Sequence, residues 1–160
     1  MDFEIDVSGV DLLSKNYTIV IADKNNIIRG FKFSEDFIKK INSRYGEGKY
    51  RYQKSQHGKS LLKIRIYCIV IYHLFKKIKF KDQSVNLDIC RDFHGHERDI
   101  SSNLKNFLEG KLGLKLSIKY LKLPRGSNAD KYAYLMRNDT KNLIGNYVEI
   151  SLKDIEKYLK

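Results

Sequence analysis

Leu61-Leu62-Lys63-Ile64-Arg65-Ile66-Tyr67-Cys68-Ile69-Val70-Ile71-Tyr72-His73-Leu74-Phe75 is the most apolar stretch of the chain, and its reading as strand or helix decides the fold. Lys63 and Arg65 alternate with Ile64 and Ile66, which is the period of a strand. The stretch continues to Lys79 without a turn signal, about nineteen residues in all, far beyond the usual length of a strand. We therefore read a buried helix with basic ends, packed on a sheet. It is too short for a membrane span and carries Lys63, Arg65 and His73.

Toward the C-terminus, Asp82-Gln83-Ser84 and His94-Gly95-His96 bracket a strand from Val85 to Phe93. Glu97 to Glu109 has helical spacing at Ile100, Leu104, Phe107 and Leu108, and Gly110 or Gly113 ends it. Leu114 to Leu123 alternates as a strand and stops at Pro124-Arg125-Gly126. Ser127 to Arg137 reads as a helix, Tyr147 to Ile150 as a short strand, and Ser151-x-x-Asp154 as the cap of a last helix. Toward the N-terminus, Tyr17-Thr18-Ile19-Val20-Ile21-Ala22 reads as a strand buried on both faces. The turn Asp23-Lys24-Asn25-Asn26 and the run Ile27 to Phe33 make it a hairpin. Ser34 caps a short helix through Phe37, Ile38 and Ile41, a loop covers Tyr45 to Lys49, and Tyr50-Arg51-Tyr52 reads as a brief strand. The fold class is α/β, in one domain over 1–160.

The chain has 160 residues, 31 Lys+Arg against 19 Asp+Glu, and a formal charge of +12. Such a balance favours a polyanionic partner, nucleic acid first, although Lys-rich chains also arise without one. Cys68 and Cys90 are the only cysteines, too few for a zinc cage or a disulfide framework, and read as reduced core residues. The start Met1-Asp2-Phe3-Glu4-Ile5-Asp6 is acidic and unlike a secretory signal, so the expected location is cytoplasmic.

Asp23, Asp88 and Asp130 stand at the edges of apolar runs. Carboxylates so placed suit a divalent metal, because Mg²⁺ takes hard oxygen ligands. Asp92 shares a face with Asp88 and is a further candidate ligand. Asp23 and Asp88 are expected on neighbouring strands with carboxylates about 4–7 Å apart, a spacing that permits shared Mg²⁺ or Mn²⁺ in a two-metal site. Each has a structural reading as well: Asp23 opens a turn, and Ser127-x-x-Asp130 resembles a capping box. His94-Gly95-His96-Glu97 has ligand types for zinc without a recognised spacing. Lys59, Lys63, Arg65, Arg125 and Lys131 are candidate phosphate contacts.

The order of elements, the three aspartates and the stretch Asn128-Ala129-Asp130-Lys131-Tyr132-Ala133 resemble the ribonuclease H-like superfamily over residues 15 to 140. The resemblance leaves 141–160 as a C-terminal strand-helix appendage. It implies a mixed sheet flanked by helices, with the leading catalytic Asp on the first strand (Asp23), another on the fourth (Asp88) and a third on a late helix (Asp130). It further implies a Mg- or Mn-dependent nuclease acting on DNA or RNA. That superfamily also places a Glu on the first long helix, and Leu61 to Lys79 contains no acid. A non-catalytic nucleic-acid or protein-binding module on the same fold is therefore the second reading.

Overall fold

Asp2-Phe3-Glu4-Ile5-Asp6-Val7 alternates acid with apolar at the period of a strand, and it forms β1 (Asp2–Ser8) at the centre of the sheet. The computed structural model describes all 160 residues, Met1–Lys160. After β1 come β2 (Thr18–Ala22) and β3 (Ile28–Lys32), then α1 (Glu35–Gly46) and α2 (Gln56–Lys76). β4 (Ser84–Cys90) leads to α3 (Glu97–Leu104), which passes through a π-helical turn (Lys105–Glu109) into the last turn α4 (Gly110–Leu112). β5 (Lys115–Leu121), α5 (Asn128–Arg137) and α6 (Leu152–Glu156) complete the chain. The five strands form one mixed open sheet in the order β3-β2-β1-β4-β5. β1 runs antiparallel to β2 and parallel to β4, and β4 runs parallel to β5.

Strand alternation gives the sheet two unlike faces. Phe3 and Ile5, Ile19 and Ile21, and Val85, Leu87 and Ile89 point to one side and are buried with the helices α2 and α3 in the main core. α2 is apolar on nearly every side because it packs against the sheet, α3 and α6 together. Its N-cap is Ser55, whose hydroxyl accepts from the Gly58 amide, so the helix begins a full turn before the apolar run. The opposite face carries Asp2, Glu4 and Asp6 from β1 and Asn86, Asp88 and Cys90 from β4. There α5 covers β1, β2 and β3, with Ala129, Ala133 and Met136 against Val20, Ala22 and Ile28.

α5 is tied down at both ends. Asn128 Nδ2 donates to the Asp23 carbonyl at 3.0 Å, and Lys32 Nζ donates to the Met136 carbonyl at 2.9 Å and the Asp139 carbonyl at 2.6 Å. A cation on the last carbonyls of a helix satisfies them and complements the helix dipole. Between the two ends Gly30 leaves room for Met136, whose Cε would lie 2.5 Å from any Cβ there.

Several expectations are met and several are corrected. The helix over the apolar run, the hairpin, and the elements α1, α3, β5 and α5 are all present. β1 is the correction of most consequence: the sheet begins at Asp2, so the first strand is not Tyr17–Ala22 and the core does not start at residue 15. Tyr50–Tyr52 is irregular, with Tyr50 buried and its hydroxyl donating to Glu156 at 3.0 Å. Tyr147–Ile150 makes a single parallel bridge, Gly30 to Tyr147, at the edge of β3. The segment 141–160 is no appendage, since Val148, Ile150, Ile155 and Leu159 belong to the main core and Glu156 also takes Arg44.

Candidate functional site

Asp23 and Asp88 are not neighbours. β1 lies between their strands, and each carboxylate has a local setting of its own. Asp23 Oδ1 accepts from the amides of Asn25 at 3.0 Å and Ile27 at 2.8 Å, which is the turn role expected of Asp in such a sequence. Asp88 pairs in register with Glu4 across β1 and β4. Both aspartates line one open cavity of about 340 Å³ at the N-terminal end of β1, together with Glu4, Lys24, Asn86 and Lys119.

A different set of acids converges at the other end of the same face. Asp6 sits on β1 opposite Val20, one residue beyond the Ile5–Ile89 pair that aligns β1 with β4. Cys90 is the last residue of β4, and Asp92 follows it where the chain leaves the sheet. One carboxylate oxygen of Asp6, Cys90 Sγ and one carboxylate oxygen of Asp92 all lie within 4.8 Å of one another. Asp130, in the first turn of α5, adds its charge beside Asp6. Its other bonds are local: its amide donates to Ser127 Oγ at 3.3 Å, and its Oδ2 accepts from the Gly126 amide at 3.1 Å.

The electrostatics of this group follow from burial. Asp6 is 7% exposed, no Lys, Arg or His pairs with it, and it accepts one hydrogen bond, from the amide of its own neighbour Val7 at 2.8 Å. Burial raises its carboxyl above the ordinary range against the pull of that amide, and the charge of Asp130 raises it further. Asp92 is exposed as a residue while its carboxyl turns back toward Asp6 and Cys90. Burial of that carboxyl, and then the Asp6 charge, raise it to about 6, with His94 opposing. Burial, Asp92 and Asp6 together push the Cys90 thiol up to about 12. The neighbouring Tyr17 hydroxyl is raised for the same reasons, burial first and then Asp92. A cavity of about 280 Å³ opens beside Asp92, lined by Tyr17, Ser60, Lys63, Phe93 and His96 among others.

The candidate phosphate contacts divide. Lys59, Arg125 and Lys131 are exposed, with Arg125 and Lys131 flanking the start of α5 beside Asp130. Lys63 lines the cavity beside Asp92 and is paired with Asp11 at 2.9 Å. Arg65 is committed to the fold: its Nε donates to the Tyr158 carbonyl at 3.1 Å, its Nη1 to Asn103 Oδ1 at 2.6 Å, and its guanidinium lies 4.7 Å from the Phe107 ring centroid. Of the carboxylates expected at a metal, Asp92 and Asp130 fall in the converging group, and Asp23 and Asp88 fall outside it. Asp6 was missed, although strict alternation through Phe3, Ile5 and Val7 marks its strand.

The fold and the site together define a single-domain α/β protein whose mixed open sheet carries a three-donor group able to hold a metal ion. Searches among protein-family models, curated proteins and solved structures give no match to this chain. No helix is long and apolar enough to cross a membrane.

Proposed function

We propose that this protein is a Mg- or Mn-dependent phosphodiester hydrolase acting on nucleic acid, built on a ribonuclease H-like fold, with Asp6, Asp92 and Asp130 as its metal-binding carboxylates. The carrying observation is Asp6, a carboxylate nine-tenths buried on the central strand, with no cationic partner and two further carboxylates turned toward it. Leaving such a charge unpaired costs on the order of several kcal/mol. A divalent cation would remove that cost, and the donors present suit one. The arrangement agrees with the resemblance drawn from the sequence once β1 takes the place of the first strand: an Asp on the first strand, one at the end of the fourth, and one on the late helix.

A divalent ion bound there supplies Lewis acidity toward a phosphodiester and lowers the pKa of a bound water. The chain's own residues supply position. Asp6 is held by the ladder on both sides of β1, and α5 is fixed at both ends so that Asp130 keeps its place over the sheet. Arg125, Lys131 and Lys63 surround the acids and would take phosphates of the bound strand. The helix α2 contributes Ser60 and Lys63 to the neighbouring cavity and no acid to the centre. That absence favours the second reading, a module that binds nucleic acid without cutting it.

One assay separates the readings. Wild-type protein is incubated with single-stranded, double-stranded, hybrid and branched DNA and RNA, with Mg²⁺ or Mn²⁺ or with chelator, and retention is followed at rising salt. We expect metal-dependent cleavage of at least one of these and affinity that falls steeply with salt. Salt-sensitive binding without cleavage under any metal supports the non-catalytic module, and no retention at low ionic strength ends both.

A further inference from the structure

We propose that Cys90 Sγ is a metal ligand alongside Asp6 and Asp92, so that this site takes a thiophilic first-row transition ion, such as Zn²⁺ or Co²⁺, in preference to Mg²⁺. The proposal rests on the reading of the carboxylates as a metal site and specifies the ion.

The two cysteines of the chain have different surroundings. Cys68 is fully buried in the main core on α2, where its thiol donates to the Ile100 carbonyl at 3.8 Å. That is the ordinary life of a core thiol. Cys90 is half-buried and ends the row Ser84, Asn86, Asp88, Cys90 that β4 presents to the polar face. It is the one soft donor in that row, and it stands next to the buried Asp6. The spacing is near what an ion requires. Donors of a four-coordinate ion with metal–oxygen distances of about 2.0–2.2 Å and a metal–sulfur distance of about 2.3 Å lie roughly 3.5 Å apart. The three donor atoms are already within 4.8 Å of one another, so side-chain rotation of a fraction of that distance closes the set.

The second, independent observation is the Asp6 carboxylate. It is nine-tenths buried, its one hydrogen-bond donor is the adjacent backbone amide, and it is aimed at Cys90 and Asp92 rather than at any base. Thiolate selects Zn²⁺ and its neighbours over Mg²⁺, which takes oxygen ligands. On binding, the Cys90 S–H bond breaks, the sulfur electron pair forms the metal–sulfur bond, and the proton passes to solvent. The oxidation state of sulfur and metal is unchanged.

The test uses full-length protein freed of metal with chelator and titrated with Co²⁺, an optical stand-in for Zn²⁺, and separately with Mg²⁺ by calorimetry. The wild type should develop a sulfur-to-cobalt charge-transfer band in the near ultraviolet. Cys90→Ser should lose the band and bind Co²⁺ about tenfold or more weakly, while its Mg²⁺ affinity stays within about twofold, because only the soft donor is removed. Cys68→Ala should keep the band, which guards against an effect of thiol loss elsewhere. Mg²⁺ binding that Asp6→Asn abolishes, with no charge-transfer band in the wild type, would overturn sulfur ligation and leave the carboxylate reading standing. A band that persists in Cys90→Ser overturns it too. Failure of either ion to bind the wild type removes both ideas.

Discussion

One face of the sheet carries two groups of acids, one at each end of β1, and they differ in what surrounds them. At the N-terminal end Glu4, Asp23 and Asp88 border an open cavity, with Lys24 and Lys119 among its walls and Asn86 donating to Asp2 at 2.7 Å. Burial and the Asp88 charge raise the Glu4 carboxyl, and Lys24 pulls it back. At the other end Asp6, Asp92 and Asp130 meet under α5 without a lysine or arginine bonded to any of them. The first group is stabilised by water and nearby cations. The second lacks both, and its unpaired charge is what points to a metal. The number of acids is thus a poor guide to a site, and the number of buried acids without partners is a better one.

The largest expected effect would break this comparison outright. Asp6→Asn should lower any metal-dependent cleavage by at least about a hundredfold and abolish Mn²⁺ binding, whereas Asp88→Asn should change both by less than about twofold. In the absence of metal, Asp6→Asn should be the more stable protein at pH 7, by about 1–2 kcal/mol, or a rise of about 3–6 °C in Tm. Equal losses in the two variants would move the site back to the open cavity. Calorimetry, a cleavage time course and thermal melts with chelator read all three quantities.

A middle-sized effect concerns pH. The Asp6 and Asp92 carboxyls lie above their unfolded values, so between about pH 4 and pH 6 the folded chain binds more protons than the unfolded one. Metal-free stability contributed by this pair should therefore be present at pH 4.5 and decline as pH rises through about 6. Saturating Mn²⁺ should remove the decline, because the metal replaces the proton, and its affinity should be greater at pH 7.5 than at pH 5. Urea denaturation at these pH values, with chelator and with Mn²⁺, measures the slope. A slope unchanged in Asp6→Asn would assign it to other groups.

The smallest effect sharpens the role of the open end. Asp23→Ala removes the acceptor of two backbone amides and should cost about 1–2 kcal/mol in urea denaturation. It should leave metal binding at the buried group unaltered. A loss of metal affinity there would tie the two ends of the face together.

Much of this architecture was legible because its signals are local. A run too long for a strand gave α2, Ser34 and Ser127 gave two helix starts, and Asp23-Lys24-Asn25-Asn26 gave the hairpin. The central strand escaped because its outward residues are Asp2, Glu4 and Asp6, which in a sequence look like solvent-facing acids. Its pairing with β4 joins residues more than eighty positions apart, a separation no local pattern encodes. The site was half legible for the same reason. Asp92 and Asp130 stood next to apolar runs, but Asp6 becomes unusual only through burial, and burial of an acid is decided by what α5 covers. Arg65 shows the converse: a basic residue among apolar neighbours suggested a phosphate contact, and the fold uses it to join α2 to α3 and the C-terminal segment.

The way β1 is inserted between β2 and β4 has a kinetic consequence. The hairpin of β2 and β3 can close early, being joined by a short turn, but β1 gains its second neighbour only when β4 arrives from far along the chain. Contacts of such long range slow folding, since the closure entropy of the intervening loop precedes the gain from pairing. Asp6, Asp92 and Asp130 then come together only after that step and the docking of α5. Amide exchange at Ile5 and Val7 should consequently follow global unfolding rather than local fraying, and no fragment that stops before α5 should hold the acids in place.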